Sequence, residues 1–208
     1  MKIEIWIAFV SAVLTLMSTP GPSQLLMLSN SVNHGFRRSM YTGAGDLTAN
    51  LLQMAVASLG LASLIQSSMR FFMVVKWVGV AYLVYLGMKM ILSNNSTDKK
   101  DMREERSLTS LYLQGFLTSA ANPKAVIFFA ALFPQFINPS LPLAAQFVML
   151  SATYLSIDAI FLFTYGKSAH WISTKMNSKH RQRANRISGV LLIVAAVLLG
   201  LKDVDANK

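Results

Sequence analysis

Three charged side chains lie deep inside long apolar segments of this 208-residue chain, namely Asp46, Lys124 and Asp158. Charged groups are costly in a hydrocarbon environment, and those that occur there usually line an ion pathway or form pairs. Burial penalises a charged carboxylate whereas a nearby ammonium stabilises it, so an acid held between these two effects can carry a proton. We therefore predict proton coupling through Asp46 and Asp158. A static ion pair of Lys124 with either acid is the structural alternative.

The first apolar segment contains a stretch, STPGPSQ, that a continuous helix tolerates poorly. Pro20 and Pro22 have no amide hydrogen, so the carbonyl groups of Leu16 and Ser18 lose their helical donors. In lipid, such irregular backbone persists only where it is buried in protein or lines a wet cavity. The alternative is a simple proline kink whose freed carbonyl groups are satisfied by neighbouring helices. Gly21, between the two prolines, disfavours this alternative because it removes local stiffness. The sequence predicts a helix that stops and restarts inside the membrane.

A second interruption follows in the sequence LTSAANPK, where Asn122 and Pro123 lie in the middle of an apolar segment. A Leu-Thr pair precedes Pro20 and Pro123 by the same interval, so the two interruptions align with each other. Corresponding interrupted segments in the two halves of a chain indicate a transporter binding site. We expect Asn122 to cap the restarted helix, with Pro123 at its first position.

The two restarted helices predict a site for a zwitterion. Free amide groups at a helix start attract anions, and here they lie near Ser23 and Gln24 and from Lys124 to Val126. The Lys124 ammonium adds a full positive charge, and the freed carbonyl groups of the first segment offer acceptors to an ammonium group. An amino acid fits both halves of this site, and a simple carboxylate is the alternative. The predicted substrate-binding residues are Pro20, Gly21, Pro22, Ser23, Gln24, Asn122, Pro123 and Lys124.

Composition places these residues in a membrane domain. The chain is 53% hydrophobic and 13% charged, whereas soluble domains carry about 25% charged residues. Several segments run for about 20 residues with one charge or none, the length that crosses a bilayer core. We predict a single transmembrane domain over residues 1–208, with spans at about 5–33, 41–66, 71–92, 108–137, 143–166 and 187–201.

The aligned interruptions fall in the first and fourth of these six spans. With three spans in each half, the halves must insert with opposite orientation. The predicted fold is therefore an all-α integral membrane protein of two inverted three-helix repeats, with helices 1 and 4 broken. Gly43 and Gly45, just ahead of Asp46, are expected to let a neighbouring helix approach closely.

The net charge of +10 is explained by the positive-inside rule. Twelve lysines and arginines lie in the loops after spans one, three and five, and four lie on the opposite side. This asymmetry predicts that the three basic loops are cytoplasmic and that both termini are outside. Nucleic-acid binding is not expected, because the short loops offer no basic surface interleaved with aromatic residues.

The chain lacks the residues that several classes of chemistry need. The chain has no cysteine, which excludes disulfides and thiolate metal sites, and its three histidines lie in or beside the basic loops without an H-E-x-x-H pattern. No nucleophile–base pair or metal cluster is evident. We therefore expect neither an enzyme nor a cofactor or metal site.

Four motifs are informative together: STPGP, NHGFRRSMYTGAGD, KWVGVAYLVYLG and NPKAVIFFAALFPQFI. They resemble the lysine-exporter superfamily, in particular its homoserine/threonine-type (LysE/RhtB) branch of amino-acid efflux proteins, and the similarity covers nearly the whole chain. The resemblance implies a six-helix permease of the bacterial inner (cytoplasmic) membrane that exports amino acids or derivatives, as a proton antiporter and often as a homodimer. By motif, it assigns functional positions to Pro20, Gly21, Pro22, Asn122, Pro123, Lys124, Asp46 and Asp158.

Substrate choice stays open, because Ser23 follows the PGP motif where many members of this superfamily have Asn or Asp. The expected partners are a small amino acid of the homoserine, threonine or leucine type, protons and membrane lipid. An exporter of a different small carboxylate or amine, or a membrane protein without transport activity, are the alternatives.

Overall fold

The computed structural model describes residues 1–58, 69–92, 106–138, 140–175 and 178–201. Over these residues the chain is helical and contains no strand. The eight α-helices are α1 (Ile3–Ser18), α2 (Pro22–His34), α3 (Phe36–Ser58), α4 (Met69–Leu92), α5 (Leu108–Ala120), α6 (Pro123–Ile127), α7 (Leu143–Thr174) and α8 (Ser178–Leu201). The end of the predicted second span, most of the loop at 93–107 and the carboxyl terminus lie outside the described residues.

The first predicted interruption is present between α1 and α2. Helix α1 ends at Ser18, α2 begins at Pro22, and the two axes are bent by 54°. Thr19 and Gly21 have extended backbone, as expected where prolines remove helical donors. The Gln24 side chain then caps α2, since its Oε1 accepts from the Gly21 amide at 2.9 Å.

The second interruption separates α5 from α6. Asn122 is the N-cap of α6, with Pro123 at the first position, which confirms the prediction for both residues. The Asn122 Oδ1 accepts from the Lys124 amide at 3.1 Å. Helix α6 is short and continues as a π-helical turn, Phe128–Leu132, and a 3-10 turn, Phe133–Phe136.

Helices α3 and α5 cross at two glycines. A Cβ atom at Gly45 would overlap the carbonyl group of Tyr112, and one at Gly115 would overlap the carbonyl group of Thr42. The close approach predicted from Gly45 is therefore confirmed. The same prediction for Gly43 is wrong, because a Cβ there would meet only the Leu162 side chain, at an ordinary 3.9 Å.

An aromatic core packs α1 and the turns that follow α6 against α7. Phe9 of α1 packs against Phe133 with ring centroids 6.1 Å apart, and Phe129 packs against Tyr154 of α7 at 4.8 Å. Met17 and Ala125, which lie next to the two interruptions, belong to the same buried cluster. The two interruptions are thus held side by side by one core.

By length and hydropathy, over the described residues, α7 qualifies as a membrane-crossing helix by itself. Helices α1 and α2 qualify together as one bent span, and Val80–Leu92 within α4 forms a shorter apolar stretch. The six spans and their inverted arrangement stay a prediction.

Candidate functional site

A small polar cavity lies where the two interruptions meet. Its walls come from α1, α2, α3, α6 and α7, together with Asn122, and they include six predicted site residues: Ser23, Gln24, Asp46, Asn122, Lys124 and Asp158. The cavity measures ≈ 10 Å³, which is room for about one water molecule. The site is therefore closed in this conformation and has no room for a molecule the size of an amino acid.

Asp46 and Asp158 both accept hydrogen bonds from one side-chain amide group at this cavity. Asn50 Nδ2 donates to Asp46 Oδ2 at 3.0 Å and to Asp158 Oδ2 at 2.8 Å. Both acids are almost completely buried, at 2% and 1% exposure. The Asn50 Oδ1 in turn accepts from Ser119 Oγ at 2.9 Å. Two carboxyl groups on different helices thus form one unit with the amide between them.

The Lys124 ammonium binds the first interruption. Its Nζ donates to Leu16 O at 2.7 Å and to Thr19 O at 2.6 Å. The Leu16 carbonyl is one that the prolines were expected to free, but Thr19 rather than Ser18 supplies the second acceptor. The static ion pair considered from the sequence is not formed here, because both hydrogen bonds of Lys124 go to carbonyl groups.

The two restarted helices touch through side chains. Asn122 Nδ2 donates to Ser23 Oγ at 3.3 Å. The predicted free amides at the second start are partly occupied, because the Lys124 amide donates to Asn122 Oδ1 and the Val126 amide donates to Asn122 O. This corrects the expectation of an open anion site there, since the asparagine caps its own helix.

The remaining four predicted site residues do not line the cavity. Pro20 is exposed, Gly21 and Pro22 are buried beside the cavity, and Pro123 holds the first position of α6. A Cβ at Gly21 would lie 3.5 Å from Lys124 Cε and 3.3 Å from Gln24 Oε1. Gly21 therefore leaves the space through which the Lys124 side chain passes, and the prolines set where the helices end.

Sequence reasoning missed two polar residues of the site, Asn50 and Tyr154. Each lies one helical turn from an acid that was identified, because Asn50 follows Asp46 by four residues and Tyr154 precedes Asp158 by four. Residues four apart share one helix face, so the polar Asn50 could have been found from its spacing. Tyr154 resembled an ordinary core residue, and its ring does pack in the aromatic core.

Comparisons with known proteins find relatives among translocators and efflux proteins. The model of the LysE type translocator family matches residues 14–203. The homoserine/homoserine lactone efflux protein of Salmonella typhimurium is 30% identical over 96% of this chain and 97% of its own length. A leucine efflux protein of the same species is 28% identical over 93% of each chain, and an uncharacterized membrane protein of Vibrio cholerae is 29% identical over 96% of this chain and 98% of its own. No solved structure matches the chain.

Proposed function

The chain belongs to the LysE type translocator family, and on that premise we propose that it exports a small amino acid or amino-acid derivative from the cytoplasm. Relatives named as efflux and membrane proteins support a transporter located in a membrane. The observation that carries the proposal is the closed cavity, which joins the start of α2, the Lys124 ammonium and a pair of carboxyl groups. Homoserine, threonine and leucine are the candidate substrates.

In the proposed complex, the substrate carboxylate binds between α2 and Lys124. Ser23 and Gln24 line the cavity and lie in the first turn of α2, where amide groups lack helical acceptors and attract anions. An ammonium has three donors, and Lys124 uses two of them on carbonyl groups. Its third donor can bind the substrate carboxylate.

The substrate ammonium binds the Asp46–Asp158 pair. The sequence pattern assigned that role to carbonyl groups of the first interruption, but Lys124 already occupies Leu16 O. Two carboxyl groups on one amide repel each other when both are charged, so either a proton or an ammonium group stabilises them. Protons and substrate thus compete for the same pair, and this competition is the basis of the proposed proton antiport.

We further propose the predicted membrane topology, in which six spans form two inverted repeats in the bacterial inner membrane. Both termini lie outside, and the basic loops lie in the cytoplasm. The interruptions at Pro20 and Pro123 then act as the hinges at which half-helices tilt to open the cavity to one side at a time. A homodimer is part of the proposal, and cross-linking in native membranes tests it.

Metabolite export by intact cells tests the proposed function. Cells that produce the protein are loaded with dipeptides containing homoserine, threonine or leucine, and the free amino acids in the medium are measured. We expect one of them to be excreted faster than by cells that produce the Lys124→Met variant at the same level. Equal excretion by the two kinds of cell, for every amino acid in a broad panel, would contradict export.

The same panel separates the alternative substrates. A carboxyl pair beside a lysine favours a molecule that carries both an ammonium and a carboxylate group. Small carboxylates without an amine, and amines without a carboxylate, are therefore expected to be exported more slowly than the matched amino acid. Faster export of either class would show that this class, rather than the amino acid, is the substrate.

A further inference from the structure

A second cavity, with mostly apolar walls, lies at the second interruption. It measures ≈ 220 Å³, and its walls come from α3, from the end of α5, from α6 and from the π-helical turn that follows α6. Its lining side chains are alanine, valine, leucine and phenylalanine, with Gln53 of α3 as the exception. An apolar cavity of about 150 Å³ already holds a molecule the size of benzene. This apolar cavity therefore has room for an amino-acid side chain, which the polar cavity of ≈ 10 Å³ lacks.

The Gln53 side chain supplies an unused acceptor at the apolar cavity. Its Nε2 donates to Ser119 O at 3.2 Å, which fixes the orientation of the amide group. Its Oε1 is buried and has no hydrogen-bond partner among the described residues. Buried acceptors in proteins normally have partners, so this exception calls for a ligand or an ordered water. A ligand that fills the cavity and satisfies Gln53 is apolar apart from one donor.

Ser119 and Phe129 each contact wall residues of both cavities. Ser119 Oγ donates to Asn50 Oδ1 of the polar cavity at 2.9 Å, while Ser119 O accepts from Gln53 of the apolar cavity. Phe129 lines the apolar cavity, and its ring centroid lies 4.8 Å from that of Tyr154, which lines the polar cavity. The two cavities are therefore neighbours.

We propose that the apolar cavity receives the side chain of the exported amino acid, and that Gln53 selects side chains that carry a hydroxyl group. The inference rests on the proposed export of amino acids and names the part of the site that recognises the side chain. The substrate ammonium and carboxylate groups bind the carboxyl pair and Lys124, as in the proposed complex. The hydroxyl group of a short aliphatic side chain donates to Gln53 Oε1, and its carbon atoms contact the apolar walls.

The proposed opening of the site joins the two cavities. Ser119 precedes the second interruption and Phe129 follows it, so a tilt of α6 at Pro123 moves one of these residues relative to the other. Along α3, Asn50 and Gln53 are three residues apart and share one helix face. A substrate that lies beside Asn50 therefore extends one helical turn along α3 to reach Gln53.

An acyl chain of the bilayer is the alternative occupant, because two residues that line the apolar cavity, Leu52 and Val56, are exposed. In the proposed topology their exposed surface faces lipid. An acyl chain fits the apolar walls but has no donor for Gln53 Oε1. The unused acceptor therefore favours a hydroxylated side chain over an acyl chain.

Competition assays with the full-length protein in liposomes test the role of Gln53. Exchange of labelled L-homoserine is inhibited with unlabelled L-homoserine or with L-norvaline, which has a methyl group in place of the hydroxyl group. We expect the wild-type protein to bind homoserine about fivefold more tightly, which is the effect of one hydrogen bond to a buried acceptor. Gln53→Met, which keeps the length of the side chain, should bring this ratio close to one.

Thr48→Val is the matched control on the same helix. Thr48 lines neither cavity, and its hydroxyl group donates within α3, to Ala44 O at 2.8 Å. This variant should keep the wild-type ratio of homoserine to norvaline binding. Because the ratio compares two ligands of one protein, a partial loss of folded protein does not change it.

A second variant tests the apolar walls. Val126 lines the cavity, and Val126→Phe narrows it. We expect this variant to weaken competition by L-leucine about fivefold more than competition by L-alanine, because a pocket discriminates by the carbon atoms that it holds. The alanine side chain is a single methyl group and is too short to enter the cavity.

A wild-type ratio near one, or an unchanged ratio in Gln53→Met, would overturn the selection by Gln53. Equal effects of Val126→Phe on leucine and alanine would overturn the side-chain site and assign the cavity to lipid. Failure of the proposed function looks different, because the wild-type protein would then exchange none of these amino acids.

Discussion

The ammonium of Lys124, at the second interruption, donates to the carbonyl of Leu16, at the first, at 2.7 Å. A residue that begins one restarted helix thus supplies the donor that the proline-interrupted end of another helix lacks. This contact compensates a carbonyl group that would otherwise be unpaired. It also places a positive charge between the two interruptions and beside the carboxyl pair.

Replacement of Lys124 by methionine removes this donor while keeping most of the side-chain length. We expect export to fall by about tenfold or more, because charged hydrogen bonds contribute about 1.5–3 kcal/mol. Initial rates of export at matched protein levels measure the effect. Lys167→Met, which removes an exposed lysine that lies over the Phe163 ring, should retain wild-type rates. Similar losses in the two variants would show that Lys124 has no special role.

Replacement of either acid by asparagine tests proton coupling. Asp46→Asn and Asp158→Asn keep the size of the buried side chain but cannot bind and release a proton. We expect each to abolish transport driven by a pH gradient in liposomes, with Glu4→Gln, an exposed acid in α1, as the control. Full gradient dependence in both acid variants would rule out the proton-carrier role.

Substitution of Asn50 is expected to impair transport as strongly as substitution of the acids that it joins. Asn50→Leu leaves two buried carboxyl groups without their shared donor, which costs about 1–3 kcal/mol for an unsatisfied group and more for a charged one. We predict a lower unfolding temperature in detergent and loss of gradient-driven transport. An unchanged unfolding temperature together with normal transport would mean that the bridge contributes nothing.

The crossing of α3 and α5 predicts a contrast among three glycines. Gly45→Ala and Gly115→Ala should each destabilise the protein by about 1–3 kcal/mol or more, because the added methyl group overlaps a backbone carbonyl and the helices must separate. Gly43→Ala, where the nearest atom lies at an ordinary contact distance, is the control and should be tolerated. Thermal unfolding in detergent measures all three, and equal effects would contradict the crossing geometry.

Local sequence patterns predicted the positions of both interruptions. Proline lacks the amide hydrogen that a helix requires, so the ends at Ser18 and Ala120 follow from the chain alone. The Asn122 cap follows in the same way, since an asparagine before a proline satisfies the first amides of a new helix. Gly45 was identified because it lies beside a buried acid, whereas Gly43 shows that such a pattern does not determine which glycine meets the neighbouring helix.

The partners of the site residues did not follow from the sequence. An ion pair of Lys124 with an acid was the structural alternative from the sequence, yet Lys124 binds carbonyl groups, and the two acids share an amide from Asn50. The free carbonyl of Ser18 and the open amides near Val126 were likewise assigned from one helix at a time. Lys124 reaches across to the first interruption and binds Thr19 O rather than Ser18 O, whereas the amides are occupied by Asn122, the cap of their own helix.

The sequence alone determined the local properties of each segment: where apolar helices run, where prolines end them, and which acids and which lysine lie within apolar segments. These properties depend on backbone donors and on residues within a few positions, so the local sequence is sufficient to predict them. Only the tertiary structure decided that Asp46, Asp158 and Lys124 meet in one closed cavity, and which atoms each of them binds. Hydrogen bonds extend over only about 3 Å, so a partner more than 100 positions away along the chain is decided by the packing of helices.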